Sequence, residues 1–358
     1  MHVKPIEPRN AQRKVRIAAT SLALPLLAGL AAADASAAEL TLPPISIGAG
    51  MRTSFTHESY DGESASDFNL DSARLYINGS VTDQIKFTFN TEYNSSSDAL
   101  IVMDAVAQFS LSDQVNIWAG RFLPPSDRSN LYGPYYANNW YVYTDQTQDW
   151  YPNVAVGRDN GLAWWGQFGA LKLSAGVFDV PDTTGDVSGT DHGDVLYAAR
   201  AMYDFWDVEN GYYLNGTYYG DKDLLAIGAA YQKEGSFNYY SADFLLEKKL
   251  SAGAFGVEAE YAKQNHGLSY YTTTPSHDGW YALAHYVFPG QVGIGKFQIL
   301  GKYGSGGYQG SDDVKTSELD LNYIIKAFNA RASLFYARQE QGDSPSYTVA
   351  GLGLQIQM

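Results

Sequence analysis

The chain has 358 residues, no cysteine and a formal net charge of −15. This acidic balance argues against nucleic acid as a partner, because phosphate binding needs a basic footprint. The lack of cysteine excludes a disulfide framework, so the pairing and packing of its elements have to stabilise the fold.

The first 37 residues have the pattern of a secretory signal peptide. A basic head from Lys4 to Arg16 precedes a mostly apolar run over 17–33, and Ala35, Ser36 and Ala37 form a small-residue cleavage site. We therefore expect residues 1–37 to be cleaved and residues 38–358 to form the mature domain. Residues 1–37 hold five basic and two acidic residues, so the mature chain has a net charge of −18.

Beyond residue 44, apolar and polar residues alternate in segments of about ten residues. In residues 84–93, Ile85 and Phe87 fall on one face of an extended chain, and Lys86 and Thr88 fall on the other. A tilted strand of about 9–11 residues crosses a bilayer, whereas a membrane helix needs about 18 continuous apolar residues, a run that this part of the chain lacks. Strands with one apolar and one polar face are typical of a transmembrane β-barrel.

Sixteen such segments predict an all-β fold, a 16-stranded antiparallel transmembrane β-barrel. An even number of strands keeps both ends of the barrel chain on one side. Residues 212–219 have the composition of a seventeenth strand, but we assign 206–222 to an extended periplasmic connection. The predicted strands are 45–58, 66–81, 84–93, 101–111, 115–122, 158–167, 171–179, 193–205, 223–234, 237–250, 254–264, 278–288, 296–304, 315–326, 329–340 and 346–358.

The connections between these strands alternate in length. Short turns on one side and longer loops on the other are typical of outer-membrane barrels, with the turns in the periplasm and the loops outside the cell. The predicted short turns are 82–83, 112–114, 168–170, 251–253 and 327–328, and the predicted longer loops are 59–65, 94–100, 123–157, 180–192, 265–277, 305–314 and 341–345.

Residues 115–165 carry a family resemblance. The strand ending in Gly120-Arg121-Phe122, the prolines after it, a long loop, and residues 157–161 (GRDNG) at the start of the next strand resemble the phosphate-selective porin O/P family. This resemblance implies a sixteen-stranded, homotrimeric outer-membrane channel. The signal peptide and the barrel together indicate the outer membrane of a diderm, Gram-negative bacterium, where the chain would contact the lipid bilayer and lipopolysaccharide. The resemblance also implies that the loop 123–157 folds inward and narrows the pore.

The loop 123–157 is also unusual by its length. A loop of about 35 residues inside a compact domain is uncommon and usually functional. Its many tyrosine and tryptophan side chains suit packing against the inside of the barrel wall. The alternative is an external loop that packs against a neighbouring molecule or lipopolysaccharide.

The charged residues of the strands are predicted to line the pore, since burying Arg or Lys at the lipid midplane costs about 2–4 kcal/mol. We expect Arg74 and Arg121 on the wall to face carboxylates of the loop across a constriction. The alternative is that most of these charges are solvated at the rim. The candidate pore-lining residues are Arg74, Arg121, Arg128, Arg158, Asp104, Asp127, Asp145 and Asp149.

These features predict passive diffusion of ions and small hydrophilic solutes. The family resemblance offers a phosphate- or polyphosphate-selective channel as the alternative, although the mature chain has only 19 Lys and Arg against 37 Asp and Glu. A secreted carbohydrate-binding or adhesive β-protein is a further alternative. No H-E-x-x-H or G-x-S-x-G motif occurs, so the sequence predicts no enzyme, metal site or cofactor.

Overall fold

The computed structural model describes residues 44–94, 99–142, 157–179, 195–235, 237–265 and 276–358. Within these ranges, sixteen antiparallel strands pair in chain order and the last strand pairs with the first, which closes a barrel. The predicted 16-stranded β-barrel is therefore confirmed. The predicted signal peptide lies outside the described residues.

The strand boundaries agree with the predicted segments to within a few residues for most strands. A short helix, α1 (Arg128–Tyr136), lies between the fifth and sixth strands, and a 3₁₀ turn (Ala327–Asn329) precedes the fifteenth. Among the described residues, no helix is long and apolar enough to cross a membrane. The strands are β1 (Ile45–Tyr60), β2 (Glu63–Ser80), β3 (Ile85–Asn94), β4 (Ala99–Ser112), β5 (Val115–Phe122), β6 (Asp159–Phe168), β7 (Leu171–Phe178), β8 (Leu196–Asp204), β9 (Leu224–Glu234), β10 (Phe237–Leu250), β11 (Gly253–Gln264), β12 (His277–Val292), β13 (Gly295–Tyr308), β14 (Val314–Lys326), β15 (Ala330–Gln341) and β16 (Tyr347–Gln357).

Along the regular parts of the strands, side chains alternate between the two faces of the barrel wall. In β8 every second residue from Leu196 to Asp204 is buried in the interior, and the residues between them are exposed on the outer face. Strand geometry produces this period of two. Large apolar side chains cover the outer face of β14, β15 and β16, for example Leu319, Leu334 and Leu352.

The two ends of the barrel differ in their connections. Residues 113–114, 169–170 and 251–252 are short turns at one end, which we call the turn end; the other end is the loop end. One predicted long loop is wrong: β1 and β2 extend to a tight turn at Asp61 and Gly62, both of which have positive φ. At the turn end, the long connection between β8 and β9 stands out, since its neighbours there are only two to four residues long.

Candidate functional site

Residues 123–142, in the connection between β5 and β6, lie inside the barrel and are called the β5–β6 loop. Asp127 caps α1 by accepting a hydrogen bond from the backbone N–H of Asn130 at 2.7 Å. The helix kinks at Gly133, which has a φ of 58°, just before Pro134. This kink turns the chain so that it runs on across the inner face of the wall.

Carboxylates on the inner face anchor the β5–β6 loop. Glu260 accepts hydrogen bonds from the backbone N–H and the hydroxyl of Ser129 at 3.0 and 2.9 Å. Glu318 and Asp320 accept from the backbone N–H of Trp140 at 3.1 and 2.8 Å. These strand carboxylates therefore satisfy buried donors of the loop, which would otherwise be costly to bury.

Cationic side chains bind the carbonyl groups of the same loop. Arg331 is fully buried and donates to the carbonyl oxygens of Ala137 and Asn138, both at 2.9 Å. Arg52 donates to the carbonyl oxygen of Trp140 at 2.7 Å. Many inward charges of β1 and β10–β15 thus hold the loop in place and do not face open water.

Gly353 of β16 makes room for the ring of Trp140. A Cβ at this position would lie 2.2 Å from ring atoms of Trp140. We expect Gly353→Ala to displace the ring and to cost about 1–3 kcal/mol of unfolding free energy, as overpacking does. Urea unfolding in lipid vesicles measures this loss. Gly301→Ala is the matched control, because a Cβ there meets no atom within 4 Å; an equal loss in both variants would contradict the expectation.

A second segment enters the barrel from the opposite end. It comprises residues 205–223 and is called the β8–β9 segment. Its Tyr212 hydroxyl donates to the carbonyl oxygen of Leu123 at 2.7 Å. Its backbone N–H groups at Leu214 and Gly216 donate to the carbonyl oxygens of Leu131 and Tyr136 at 3.2 and 2.9 Å. The two inserted segments therefore meet inside the barrel and hydrogen-bond to each other.

A buried ion pair joins the two segments at their point of contact. Both nitrogens of the Arg128 fork donate to the carboxylate of Glu209, and both side chains are fully buried. Asp243 lies 3.6 Å from Arg128 Nε and also pairs with Arg200. Burial raises the pKa of Glu209, but the neighbouring guanidinium of Arg128 lowers it more, so the net pKa lies below the usual glutamate value.

The depressed pKa of Glu209 predicts a loss of stability in acid. A carboxylate whose pKa is lower in the folded state adds stability above its unfolded pKa, and this stability is lost as pH falls through the folded pKa. We expect the free energy of unfolding of the native chain to decrease as the pH drops below the usual pKa range of glutamate. Glu209→Gln should remove part of this pH dependence. Urea unfolding at a series of pH values measures it, and identical profiles for both chains would count against the pair.

The inner face of β2, β3 and β4 stays partly open, whereas that of β8–β16 is buried. Asn78 is exposed, and Thr88, Asn90 and Gln108 are half-buried on this face. Thr88 donates to Asn78 at 2.8 Å and accepts from Gln108 at 3.2 Å, which makes a polar band across three strands. Among the described residues, this face is therefore where water has most access to the wall.

Four charged side chains lie beside this polar band; Arg74, Glu92, Asp104 and Arg158 are called the charge-pair patch. Arg74 Nε and Nη2 donate to Glu92 Oε2 at 3.1 and 2.6 Å. Arg158 Nε donates to Asp104 Oδ1 at 2.7 Å. The side chains of Arg74 and Glu92 keep 8% and 17% of their surface exposed. Each guanidinium therefore has a carboxylate in contact.

Both inserted segments reach the charge-pair patch with a tyrosine. The guanidinium carbon of Arg74 lies 4.9 Å from the ring centre of Tyr135 in the β5–β6 loop. The hydroxyl of Tyr213 in the β8–β9 segment donates to Asp104 at 3.2 Å. The patch is thus the place where both segments approach the open wall, which makes it the candidate constriction.

The predicted pore-lining residues separate into different environments. Arg74, Asp104 and Arg158 lie together in the charge-pair patch, where the side chains of Arg74 and Arg158 keep 8% and 10% of their surface exposed but Asp104 is buried at 2%. Asp127 and Arg128 lie inside the barrel but are fully buried, so their predicted exposure to a pore is wrong. Asp145 and Asp149 lie outside the described residues.

The predicted inward placement of Arg121 is also wrong. In β5 the interior residues are Asn116, Trp118 and Phe122, so Arg121 belongs to the outer face. It lies at the end of the strand, where a charge costs little because the lipid midplane is distant. Its guanidinium donates to the carbonyl oxygen of Val102 at 3.2 Å and lies 3.9 Å from Asp159.

Sequence reasoning missed Glu209 and the insertion of its segment. The sequence assigned residues 206–222 to an extended connection, and the residues that they contact inside the barrel lie far away in the chain. Glu92, in contrast, was recognisable as an inward carboxylate from its place in an alternating strand.

Comparison with known proteins identifies the fold. No protein-family model matches this chain, and no curated protein matches its sequence. The anion-selective porin from Comamonas acidovorans has 12% identity and a TM-score of 0.61, covering 88% of this chain and 100% of that one. OprB from Pseudomonas putida has 10% identity and a TM-score of 0.63, covering 88% and 94%. A mutant of Rh. blastica porin has 16% identity and a TM-score of 0.51, covering 88% and 100%. The chain therefore has the fold of the outer-membrane porins.

Proposed function

We propose that this chain is an outer-membrane porin of a diderm bacterium, through which ions and small hydrophilic solutes diffuse passively. The observation that carries the proposal is a closed barrel with an apolar outer face and a polar inner face, part of which stays open to water beside the β5–β6 loop. Such a barrel suits a bilayer on its outside and an aqueous path on its inside. The turn end would then face the periplasm.

The proposal includes the expectations that the sequence raised about export and assembly. Residues 1–37 act as the signal peptide, and the barrel works as a homotrimer in contact with lipid and lipopolysaccharide. A trimer form is described for OmpT of Vibrio cholerae, a barrel with 12% identity to this chain and a TM-score of 0.50. We assign transport and not catalysis, because the buried carboxylates of the inner face are engaged in anchoring the inserted segments.

Anion selectivity is the second candidate. The Comamonas acidovorans porin is anion-selective, and the resemblance to the phosphate-selective family points the same way. The excess of Asp and Glu over Lys and Arg argues against a basic path for phosphate.

A secreted adhesive or carbohydrate-binding protein is disfavoured, since exposed apolar side chains such as Leu321, Leu354 and Ile356 would face water.

Single-channel recording in planar bilayers tests the proposal. The mature chain is expected to give stepwise currents, in groups of three if it is a trimer, with weak ion selectivity and no block by phosphate. Strong anion preference with block by phosphate would favour the second candidate. A water-soluble chain that gives no currents would overturn both candidates.

A further inference from the structure

The inner wall of β2–β4 offers hydrogen-bonding groups beside the two ion pairs of the charge-pair patch. Arg74 and Glu92 face each other in register on β2 and β3. Asp104 lies on β4, opposite Asn90, and accepts hydrogen bonds from Asn90 at 2.7 Å and from Arg158. The two cations and two anions of the charge-pair patch therefore neutralise each other on the same wall.

This arrangement differs from a constriction that selects ions. Selectivity for an ion comes from rings or walls of one sign, whose field replaces the hydration that the ion gives up. Two neighbouring ion pairs supply no such net field over the width of a solute. An ion that passes them loses water and gains little in return, because each guanidinium is already bound to its carboxylate.

The groups beside the patch suit an uncharged polar solute. Asn78, Thr88 and Gln108 present amide and hydroxyl groups that both donate and accept hydrogen bonds. Tyr213 of the β8–β9 segment is partly exposed, and its hydroxyl reaches the charge-pair patch at Asp104. A solute rich in hydroxyl groups exchanges water for these partners at little cost.

We propose that the path along β2–β4 favours uncharged, hydroxyl-rich solutes over ions of similar size, and that Glu92 and Asp104 determine this preference by neutralising Arg74 and Arg158. The proposal rests on the proposed porin function and specifies its solute class. It also assigns Glu92 and Asp104 as the residues whose removal makes the channel selective for anions.

Reversal potentials across a KCl gradient test the role of the two carboxylates. Glu92→Gln and Asp104→Asn each remove one negative charge from the charge-pair patch, so the ratio of chloride to potassium permeability is expected to rise about threefold or more. Arg74→Gln is expected to shift the ratio towards potassium. Exchanging the pair, with Arg74→Glu and Glu92→Arg together, should restore a native ratio, which tests whether the single variants act through charge and not through misfolding.

Glu340→Gln is the matched control for these variants. Its side chain pairs with Arg338 on the outer face, and the two side chains keep 51% and 48% of their surface exposed. This change should leave the permeability ratio unchanged. Equal shifts in the control and in Glu92→Gln, or no shift in any patch variant, would overturn the assignment of the patch.

Swelling of proteoliposomes tests the solute class with three six-carbon probes. Sorbitol is neutral, gluconate is an anion and glucosamine is a cation. We expect sorbitol to enter fastest through the native channel. In Glu92→Gln, the rate of gluconate entry relative to that of sorbitol should increase. Faster entry of either charged probe through the native channel, or exclusion of all three probes by a chain that conducts ions, would overturn the inference while leaving the porin function intact. Exclusion of all three probes together with the absence of single-channel currents would overturn the porin function itself.

Discussion

A chain in which residues 207–221 are replaced by a four-residue glycine-serine turn should form a channel with a larger conductance. The β8–β9 segment fills part of the cross-section next to the charge-pair patch, and β8 and β9 are hydrogen-bonded neighbours that a short turn is able to join. We expect the single-channel conductance to rise on the order of twofold or more, because an emptier 16-stranded barrel is wide enough for an aqueous channel. Vesicles that carry the shortened chain should also admit larger neutral solutes, which vesicles with the native channel exclude.

The control for this replacement shortens an exposed connection at the loop end. Removing residues 343–345 between β15 and β16 should leave the conductance unchanged, since these residues are exposed at the loop end. A folded barrel with native conductance after the loss of residues 207–221 would mean that the segment lies outside the conducting path. Each variant is first checked for folding: a folded barrel remains folded in detergent at room temperature.

Arg128→Met should destabilise the protein strongly. The change leaves the carboxylate of Glu209 buried without its cation, and breaking a buried pair in this way costs about 3–5 kcal/mol. The pair joins the two inserted segments, so the variant should also show noisier currents. Urea unfolding in lipid vesicles measures the loss of free energy.

A double-mutant cycle separates the pair from the packing around it. Glu209→Met combined with Arg128→Met should lose less than the sum of the single changes, because the double variant leaves neither charge unpaired. Arg338→Met breaks an exposed pair and should cost no more than about 1 kcal/mol. If Arg128→Met and Arg338→Met lose a similar free energy of unfolding, the buried pair does not stabilise the contact between the two segments.

The strands were predictable because their signal is local. In β15 the predicted segment 329–340 and the observed Ala330–Gln341 differ by one residue at each end, since alternation repeats within the strand itself. Arg121 was misplaced because the rule that charges avoid lipid weakens towards the membrane surface. The rule held for Arg74 and Asp104, which lie nearer the middle of their strands.

The inserted β8–β9 segment was not predictable in the same way. Its position depends on pairs such as Arg128 and Glu209, which are 81 residues apart in the chain. A buried carboxylate looks the same in sequence as a solvated one in a loop. The sequence therefore indicated which charges face inward, but not which of them are covered by an inserted segment and which line a path.

The position of the β5–β6 loop has a consequence for how the barrel closes. Arg52 belongs to β1 and Gln355 to β16, the two strands whose pairing forms the seam. Arg52 donates to Trp140, and Gln355 donates to the carbonyl oxygen of Tyr135 at 2.9 Å, so one loop fastens both sides of the seam from within. Lateral separation of β1 and β16 must therefore break these loop hydrogen bonds together with the backbone hydrogen bonds between the two strands.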